Sequence, residues 1–291
     1  MHAFAYERPA TLAEAIELLE AHRSGVSLLA GGTDLIIGLR DGSSKPDLVI
    51  DVKRIPELCA GIRDAGGLVT IGATTVMTEL AESELIRTRY TALAEAAAVV
   101  GSVQIRNRAT IAGNICNGSP AADTFPPLLV YGAVVIAAGP DGIRRIPIDD
   151  FPIKSRVTAL RPGELVTSIE LPVPPGRTGS VHTRRSRRRG HDLASVTLAC
   201  AVNEAGVTQI AFGSVGPRPL LRIDESGVLA DPEADNAAKA VILENMFAEA
   251  APSRNSMRAS PEYRLAMLRV LGTRAVRIAI DRLAVDRLAE K

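Results

Sequence analysis

The chain contains two glycine-centred segments whose residue types suit the binding of phosphate. The first consists of Ala30, Gly31, Gly32, Thr33, Asp34 and Leu35; the second follows residues 104–109 and consists of Thr110, Ile111, Ala112, Gly113 and Asn114. Each segment is predicted to be a strand that runs into a glycine turn, with hydroxyl or amide side chains at its exit. Because glycine tolerates positive φ and has no Cβ, such a turn can bring backbone N–H groups against a phosphate.

Together, the two turns could hold the two phosphates of one dinucleotide. Neither segment has the glycine spacing of a Rossmann fingerprint or a P-loop, so a nucleotide bound here would require another fold. For either segment taken alone, a simple tight turn is the competing interpretation.

Other kinds of chemistry have little support in the sequence. The four histidines show no metal-binding spacing, the serine nucleophile motifs are missing, and the three distant cysteines form no disulfide or cluster framework. We therefore predict no catalytic residue and no metal ligand on this chain. The arginine-rich run at residues 184–189 has two interpretations, a solvated loop or a contact with phosphate or an acidic partner surface.

Composition indicates a globular protein of two or three domains, with 291 residues of which 46% are hydrophobic and 23% charged. A net charge of +1 and an aromatic content of 3% give no basis for binding to nucleic acid. No apolar run approaches the roughly 20 residues of a membrane span. The start of the chain lacks the pattern of a signal peptide, so we expect a cytoplasmic protein.

Periodicity and turn residues predict the elements that position the two segments. A capping box at Thr11 and Glu14 begins a helix, strands are predicted at residues 26–29 and 47–51, and hairpins at 61–72 and 133–146. Further helices are predicted at 76–81, at 90–100 and from 119–124 onward. A strand at 164–171 runs into a Pro-rich stretch at 172–176, where we place a domain boundary.

The remainder of the chain is predicted to be an α+β domain. Two strands, at residues 195–203 and 207–214, precede helices at 233–250 and 261–288. The last helix carries an apolar stripe with spacings of three and four. These helices are expected to form a layer on one face of the sheet.

Motifs along nearly the whole chain resemble those of the medium, FAD-binding subunits of molybdenum hydroxylases, the group of carbon monoxide dehydrogenase and xanthine dehydrogenase. They are the segments 4–9, 30–35, 55–58, 71–73, 104–107, 110–114, 119–123, 169–172, 188–189, 192–194 and 262–264. Each motif alone is weak, but their number, order and spacing identify the family.

The resemblance implies an α+β protein in two parts. Residues 1–175 would form a two-lobed FAD-binding domain of the vanillyl-alcohol-oxidase type, also called PCMH-type, with lobes at about 1–58 and 59–175. Residues 176–291 would form the C-terminal flavoprotein domain. Residues 30–35 and 110–114 match the pyrophosphate loops of the family. Asp123 matches a position near the adenosine side, Val166 lies in a strand lining the pocket, and Arg184 and Asp192 fall where the family approaches the flavin ring.

The resemblance also implies a function as one subunit of a larger oxidoreductase. A large partner would carry the molybdopterin cofactor, a small partner would carry two 2Fe–2S clusters, and electrons would pass through FAD on this chain to an external acceptor. The expected assembly is a dimer of heterotrimers. The alternatives are a free-standing flavoprotein oxidoreductase of the same superfamily and a scaffold subunit that has lost FAD.

The sequence departs from the family pattern at two positions. Ala112 replaces the first glycine of the second loop, and its methyl group is expected to be tolerated if φ is negative. Arg184 stands where many relatives have lysine, which keeps the charge but changes the donor geometry.

Overall fold

The computed structural model describes residues 2–22, 24–59, 61–188 and 190–289. Their helices and strands, in chain order, are β1 (Ala5–Glu7), α1 (Leu12–His22), β2 (Val26–Leu29), α2 (Leu35–Asp41), β3 (Leu48–Asp51), β4 (Ile62–Asp64), β5 (Leu68–Gly72), α3 (Met77–Glu82), α4 (Glu84–Arg89), α5 (Thr91–Ala98), α6 (Val103–Arg106), α7 (Ile111–Cys116), α8 (Phe125–Val130), β6 (Val134–Gly139), β7 (Gly142–Pro147), β8 (Pro152–Lys154), β9 (Val157–Thr158), β10 (Leu165–Pro172), β11 (Thr178–Arg185), β12 (Val196–Asn203), β13 (Thr208–Gly213), β14 (Leu220–Asp224), α9 (Asn236–Met246) and α10 (Pro261–Ala289). A short 3₁₀ turn covers Pro56–Leu58.

The chain divides into two compact units, neither of which is continuous in sequence. The first comprises Met1–Leu80, Val103–Gly118 and Ala133–Pro172, and the second comprises Ala81–Ser102, Ser119–Gly132 and Val173–Lys291. The chain passes from the first unit to the second between Pro172 and Val173, close to the boundary predicted near residue 175. The domain limits 1–175 and 176–291 remain a prediction.

The first unit is built on two main sheets. One is parallel, with strand order β1-β3-β2, and the other is antiparallel, with order β4-β5-β10-β6-β7. The predicted capping box begins α1, since the Glu14 N–H donates to Thr11 Oγ1 at 3.2 Å and Glu14 Oε2 accepts from the Ala10 N–H at 2.7 Å. The strands predicted at 26–29, 47–51 and 164–171 and both hairpins are confirmed.

The second unit is a four-stranded antiparallel sheet, of order β11-β12-β13-β14, covered by helices on both faces. One face packs Val181, Leu198 and Phe212 against the apolar stripe of α10 and against α9. The opposite face packs against α5 and α8, which precede it in the chain. The predicted layer of C-terminal helices on one face is confirmed, and α5 and α8 form a second layer that the sequence patterns did not indicate.

Two other sequence predictions are corrected by the structure. The helix expected from residue 119 begins only at Phe125, after turns that run to Thr124. Arg184 and Arg185 end the strand β11 rather than lying in a solvated loop. No helix among the described residues is long and apolar enough to cross a membrane.

Candidate functional site

The first glycine segment is a turn between β2 and α2, as the sequence predicts. Gly32 has φ +74°, a conformation that costs glycine nothing but strains other residues. A Cβ built on Gly32 would lie 2.9 Å from Leu29 Cδ1, so the turn also packs closely on the strand that precedes it.

The backbone N–H groups of this turn are available for a ligand. Across the described residues, no acceptor in this chain binds the N–H groups of Gly31, Gly32, Thr33 or Asp34. The first helical bonds of α2 begin just beyond them, from the Ile36 N–H to the Gly32 oxygen at 3.0 Å. Successive unpaired N–H groups around glycines form a concave surface suited to an anion.

The second glycine segment differs from its prediction. Residues 104–106 lie in the short helix α6, and Gly113 lies inside α7 without a positive φ, so this segment is neither a strand nor a glycine turn. Thr110 explains the difference, because its Oγ1 accepts from the Gly113 N–H at 3.1 Å and caps the helix. The threonine three residues before the glycine is the sequence signal for this cap.

Most backbone donors of the second segment are already used within the protein. The Ile111 N–H donates to the Thr75 oxygen at 3.0 Å, and the Asn114 N–H donates to the Thr110 oxygen at 2.9 Å. Ala112 is helical and buried, so its methyl group causes no backbone strain. The two segments are therefore not equivalent, and only the first presents a row of unpaired N–H groups.

The structure nevertheless brings the two segments into direct contact inside the first unit. A Cβ built on Gly31 would lie 2.0 Å from the Arg108 oxygen and 3.0 Å from Ala109 Cα, so only glycine fits there. Asn117, which follows α7, donates from Nδ2 to Asp34 Oδ1 at 3.4 Å. The backbone of the second segment thus supports the turn of the first.

Val166 also lies in the first unit. It is buried in β10, where the pairing with β6 shifts register between Val166 and Ser168, and β10 packs against α7. A β-bulge of this kind changes the direction of side chains along a strand.

The remaining predicted contacts form a separate group in the second unit. Arg184 Nη1 lies 2.5 Å from Asp123 Oδ2, and its Nη2 donates to the Asp192 backbone oxygen at 2.7 Å. The side chains of Arg184 and Asp123 are 12% and 8% exposed, which makes this a buried ion pair rather than a surface one. Because Asp123 and Arg184 form an ion pair, each side chain fixes the position of the other.

The Asp192 side chain is bound by the loop that follows β11. Its carboxylate accepts from the backbone N–H of Leu193 at 3.0 Å and from Arg187. Although desolvation opposes the shift, the hydrogen bonds and charge of Arg187 lower the pKa of Asp192. The carboxylate thus stays ionised and shapes the loop, while the Asp192 carbonyl binds Arg184.

His182 belongs to the same group, although the sequence-based prediction of this site includes no histidine. Its Nε2 lies 2.9 Å from Thr197 Oγ1 and 3.6 Å from Asp123 Oδ1. Asp123 Oδ1 is buried and has no hydrogen-bond partner in the described part of the chain. The sequence signal that indicates this position of His182 is the alternation of side chains along β11, which places His182 and Arg184 on one face of the strand.

The other polar residues do not form a second centre. Within the described ranges, no group of three His, Cys, Asp or Glu side chains could hold a metal ion. Cys59 is exposed, Cys116 is half-buried and Cys200 is buried, and all three are free thiols.

Comparison with known proteins gives a family match over almost the whole chain. Residues 2–174 match the model of the FAD binding domain in molybdopterin dehydrogenase. Residues 182–279 match the model of the CO dehydrogenase flavoprotein C-terminal domain.

Individual relatives match over similar lengths. The chain is 31% identical over 280 residues to the xanthine dehydrogenase FAD-binding subunit of Escherichia coli O157:H7, covering 94% of this chain and 95% of that protein. It is 32% identical over 285 residues to the carbon monoxide dehydrogenase medium chain of Hydrogenophaga pseudoflava, covering 97% and 98%. The structure of carbon monoxide dehydrogenase from Hydrogenophaga pseudoflava, in a form lacking the Mo-pyranopterin moiety, superposes with a TM-score of 0.87 at 31% identity, covering 96% of this chain and 98% of that one.

Proposed function

Because the chain belongs to the family of FAD-binding subunits of molybdopterin dehydrogenases, we propose that its first glycine turn holds the diphosphate of FAD. The observation that carries the proposal is the row of unpaired N–H groups at Gly31, Gly32, Thr33 and Asp34. Glycine at the first two positions lets an anion approach the backbone closely. The Thr33 hydroxyl adds a side-chain donor beside them.

The residues of this turn fit the cofactor that the family binds. FAD, when bound, supplies the redox chemistry by accepting electrons and releasing them to an acceptor. The protein contributes binding and orientation. Ala30 and Leu35 border the turn. The Asp34 carboxylate, which accepts from Asn117 Nδ2 at 3.4 Å, would repel a phosphate and is suited to accept from hydroxyl groups of the ligand.

The second segment is proposed to contribute fewer donors than the first. The Thr110 oxygen accepts from the Gly113 N–H, which leaves the Thr110 hydroxyl proton free to donate. Among the segment's backbone donors, the Ala112 N–H has no acceptor in the described protein. Ile111, Gly113 and Asn114 are therefore proposed to act mainly by packing and by positioning these donors.

Val166, Asp123, Arg184 and Asp192 remain proposed cofactor contacts. Asp123 and Arg184 are proposed to contact the same part of the cofactor, because a single ion pair cannot serve both the adenosine and the flavin ends. Asp123 Oδ1 is a buried acceptor without a hydrogen-bond partner among the described residues, and a ligand donor would satisfy it. The Asp192 carbonyl would hold the Arg184 side chain in place.

The relatives are subunits of multi-subunit dehydrogenases, and the same organisation is proposed for this chain. It would bind a large molybdopterin subunit and a small subunit with two 2Fe–2S clusters, in a dimer of heterotrimers, and pass electrons to an external acceptor. A cytoplasmic location is proposed from the three free thiols.

A matched pair of glycine substitutions tests the role of the first turn. Gly32 and Gly66 both have positive φ, +74° and +78°, so Gly32→Val and Gly66→Val impose the same kind of backbone strain. Gly66 lies in the β4–β5 hairpin, with nothing within 4 Å of an added Cβ. The Gly32→Val chain is expected to purify without FAD, and the Gly66→Val chain is expected to retain it.

The readout is flavin absorbance per chain in the folded proteins. Equal flavin content in the two variants would contradict the assignment of the diphosphate to the first turn. Absence of flavin from the unmodified protein would support a scaffold subunit instead. Full activity of an isolated, stable single chain would support a free-standing flavoprotein.

A further inference from the structure

A cavity of about 300 Å³ in the second unit has a strongly basic lining. Its side chains come from the end of β11, from the loop before α10 and from the first turn of α10. The lining includes Arg185, Arg187, Arg258 and Tyr263, together with Ser186 and Ser195. None of the described residues that line the cavity is acidic.

The cavity is distinct from the Arg184–Asp123 pair. Alternation along β11 sends Arg184 toward Asp123 and Arg185 toward the opposite face of the sheet. There, Arg185 Nε donates to the Tyr263 hydroxyl oxygen at 2.8 Å. Since that oxygen accepts, the Tyr263 hydroxyl proton remains free to donate to a ligand.

The positive charge of the cavity is only partly neutralised. Arg187 Nη2 lies 3.4 Å from Asp192 Oδ1, while neither Arg185 nor Arg258 has an acidic partner within the described ranges. A fourth arginine, Arg264, is buried next to the cavity. Its Nη1 donates to the backbone oxygen of Ser195, one of the lining residues, at 3.0 Å. Burial lowers the pKa of Arg264, and repulsion from the nearby Arg258 guanidinium adds to this shift.

The donors of the cavity are side chains rather than the end of α10. The Tyr263 N–H donates to Ser260 Oγ at 3.3 Å, and the Arg264 N–H donates to the Ser260 oxygen at 3.1 Å. The N–H groups of Tyr263 and Arg264 at the start of α10 are therefore already bound within the protein. Three guanidinium groups and one hydroxyl therefore remain to recognise a ligand.

We propose that this cavity binds the phosphate or diphosphate group of a small molecule. Guanidinium groups bind phosphate oxygens in a bidentate manner, and several of them around one cavity select for multiple negative charge. A volume of about 300 Å³ is at the lower end for ligand pockets, so it suits a charged group rather than an entire nucleotide. The site goes beyond the proposed FAD function and does not depend on it.

Calorimetric titration of the full chain, purified with its flavin, tests this proposal. The probes are inorganic diphosphate, inorganic phosphate and ADP. Diphosphate is expected to bind more tightly than phosphate, and its affinity is expected to fall as ionic strength rises. ADP binding equal to diphosphate would show that the phosphates alone are recognised, and tighter ADP binding would identify a nucleotide as the source of the group.

Charge-removing variants locate the site. Arg258→Gln and Arg185→Gln are each expected to weaken diphosphate binding about tenfold, a change typical of losing one charge-assisted hydrogen bond. Arg274→Gln, on the exposed face of α10, is the matched control and should change the affinity less than about twofold. If Arg185→Gln does not fold, because its bond to Tyr263 is lost, Arg258→Gln still decides the outcome.

Flavin content separates this proposal from the proposed function. All three arginine variants should retain FAD, so a failure of the anion site would not resemble a failure of the glycine turn. The proposal is overturned if diphosphate does not bind, or if Arg258→Gln binds it as tightly as Arg274→Gln. Binding of an acidic peptide that diphosphate does not displace would also overturn it, in favour of a protein partner.

Discussion

The substitution Gly31→Ala should show that the two glycine-centred segments depend on each other. The added Cβ would lie 2.0 Å from the Arg108 carbonyl oxygen and 2.8 Å from the Arg108 carbonyl carbon. Favourable contacts between such atoms begin near 3.5 Å, so the two backbones would have to separate by more than about 1 Å. Neither backbone can rotate away as a flexible side chain could.

The expected cost is at the upper end of the range for overpacking, about 3 kcal/mol. For a domain of this size, that loss corresponds to a fall in Tm of about 6–12 °C. Separation of the segments also displaces the unpaired N–H groups of the first turn. Flavin content per chain should therefore fall together with the Tm.

The assay compares Gly31→Ala with Gly67→Ala by thermal unfolding and flavin absorbance. Gly67 is the matched control, since neither glycine has a positive φ and nothing lies within 4 Å of a Cβ at Gly67. Unfolding is measured on flavin-free protein so that ligand binding does not contribute to the Tm. The reasoning is refuted if Gly31→Ala matches Gly67→Ala in both Tm and flavin content.

Three further predictions concern charge and burial. Asp123→Ala should lower the free energy of unfolding by about 3 kcal/mol, because it leaves the buried Arg184 guanidinium without its counter-charge; urea unfolding measures this, and a loss below about 1 kcal/mol would contradict a buried pair. Glu164 has its pKa lowered by the hydrogen bonds of Arg144, so it stabilises the fold above its unfolded pKa of about 4.3, and this contribution is lost as pH falls through the folded pKa. Glu164→Gln should consequently lower the free energy of unfolding by about 1 kcal/mol at neutral pH, and the free energy of unfolding should then fall less as the pH is lowered. An equally steep fall at acidic pH in the variant and the unmodified protein would argue against this role. A thiol reagent should modify Cys59 alone in the folded chain, because burial raises the pKa of Cys116 to about 12 and also raises that of Cys200; rapid modification of more than one thiol, counted by mass spectrometry, would disagree.

Local elements of the fold were predictable because their signals lie within a few residues. The capping box begins α1, apolar runs bounded by turn residues become β2, β3 and β10, and a stripe with spacings of three and four becomes α10. The first glycine turn also follows from local chemistry. The family is identified by motifs in order along the chain, and it is confirmed by the matches to both domains.

The second glycine segment shows where local reasoning failed. The prediction relied on glycine as a marker of turns, but Thr110 caps a helix that includes Gly113. For a related reason, local patterns did not indicate that α5 and α8 cover the second face of the β11–β14 sheet. The strands that they cover come much later in the chain.

The sequence by itself determined the family, most local elements and the position of the first glycine turn, because these depend on neighbouring residues and on ordered motifs. Only the tertiary structure decided that Gly31 rests on the Arg108 backbone, that Asp123 pairs with Arg184, and that Arg185 opens onto a separate basic cavity. The physical reason is that these contacts join residues distant in sequence. Their geometry is set by how sheets and helices pack, which no local pattern specifies.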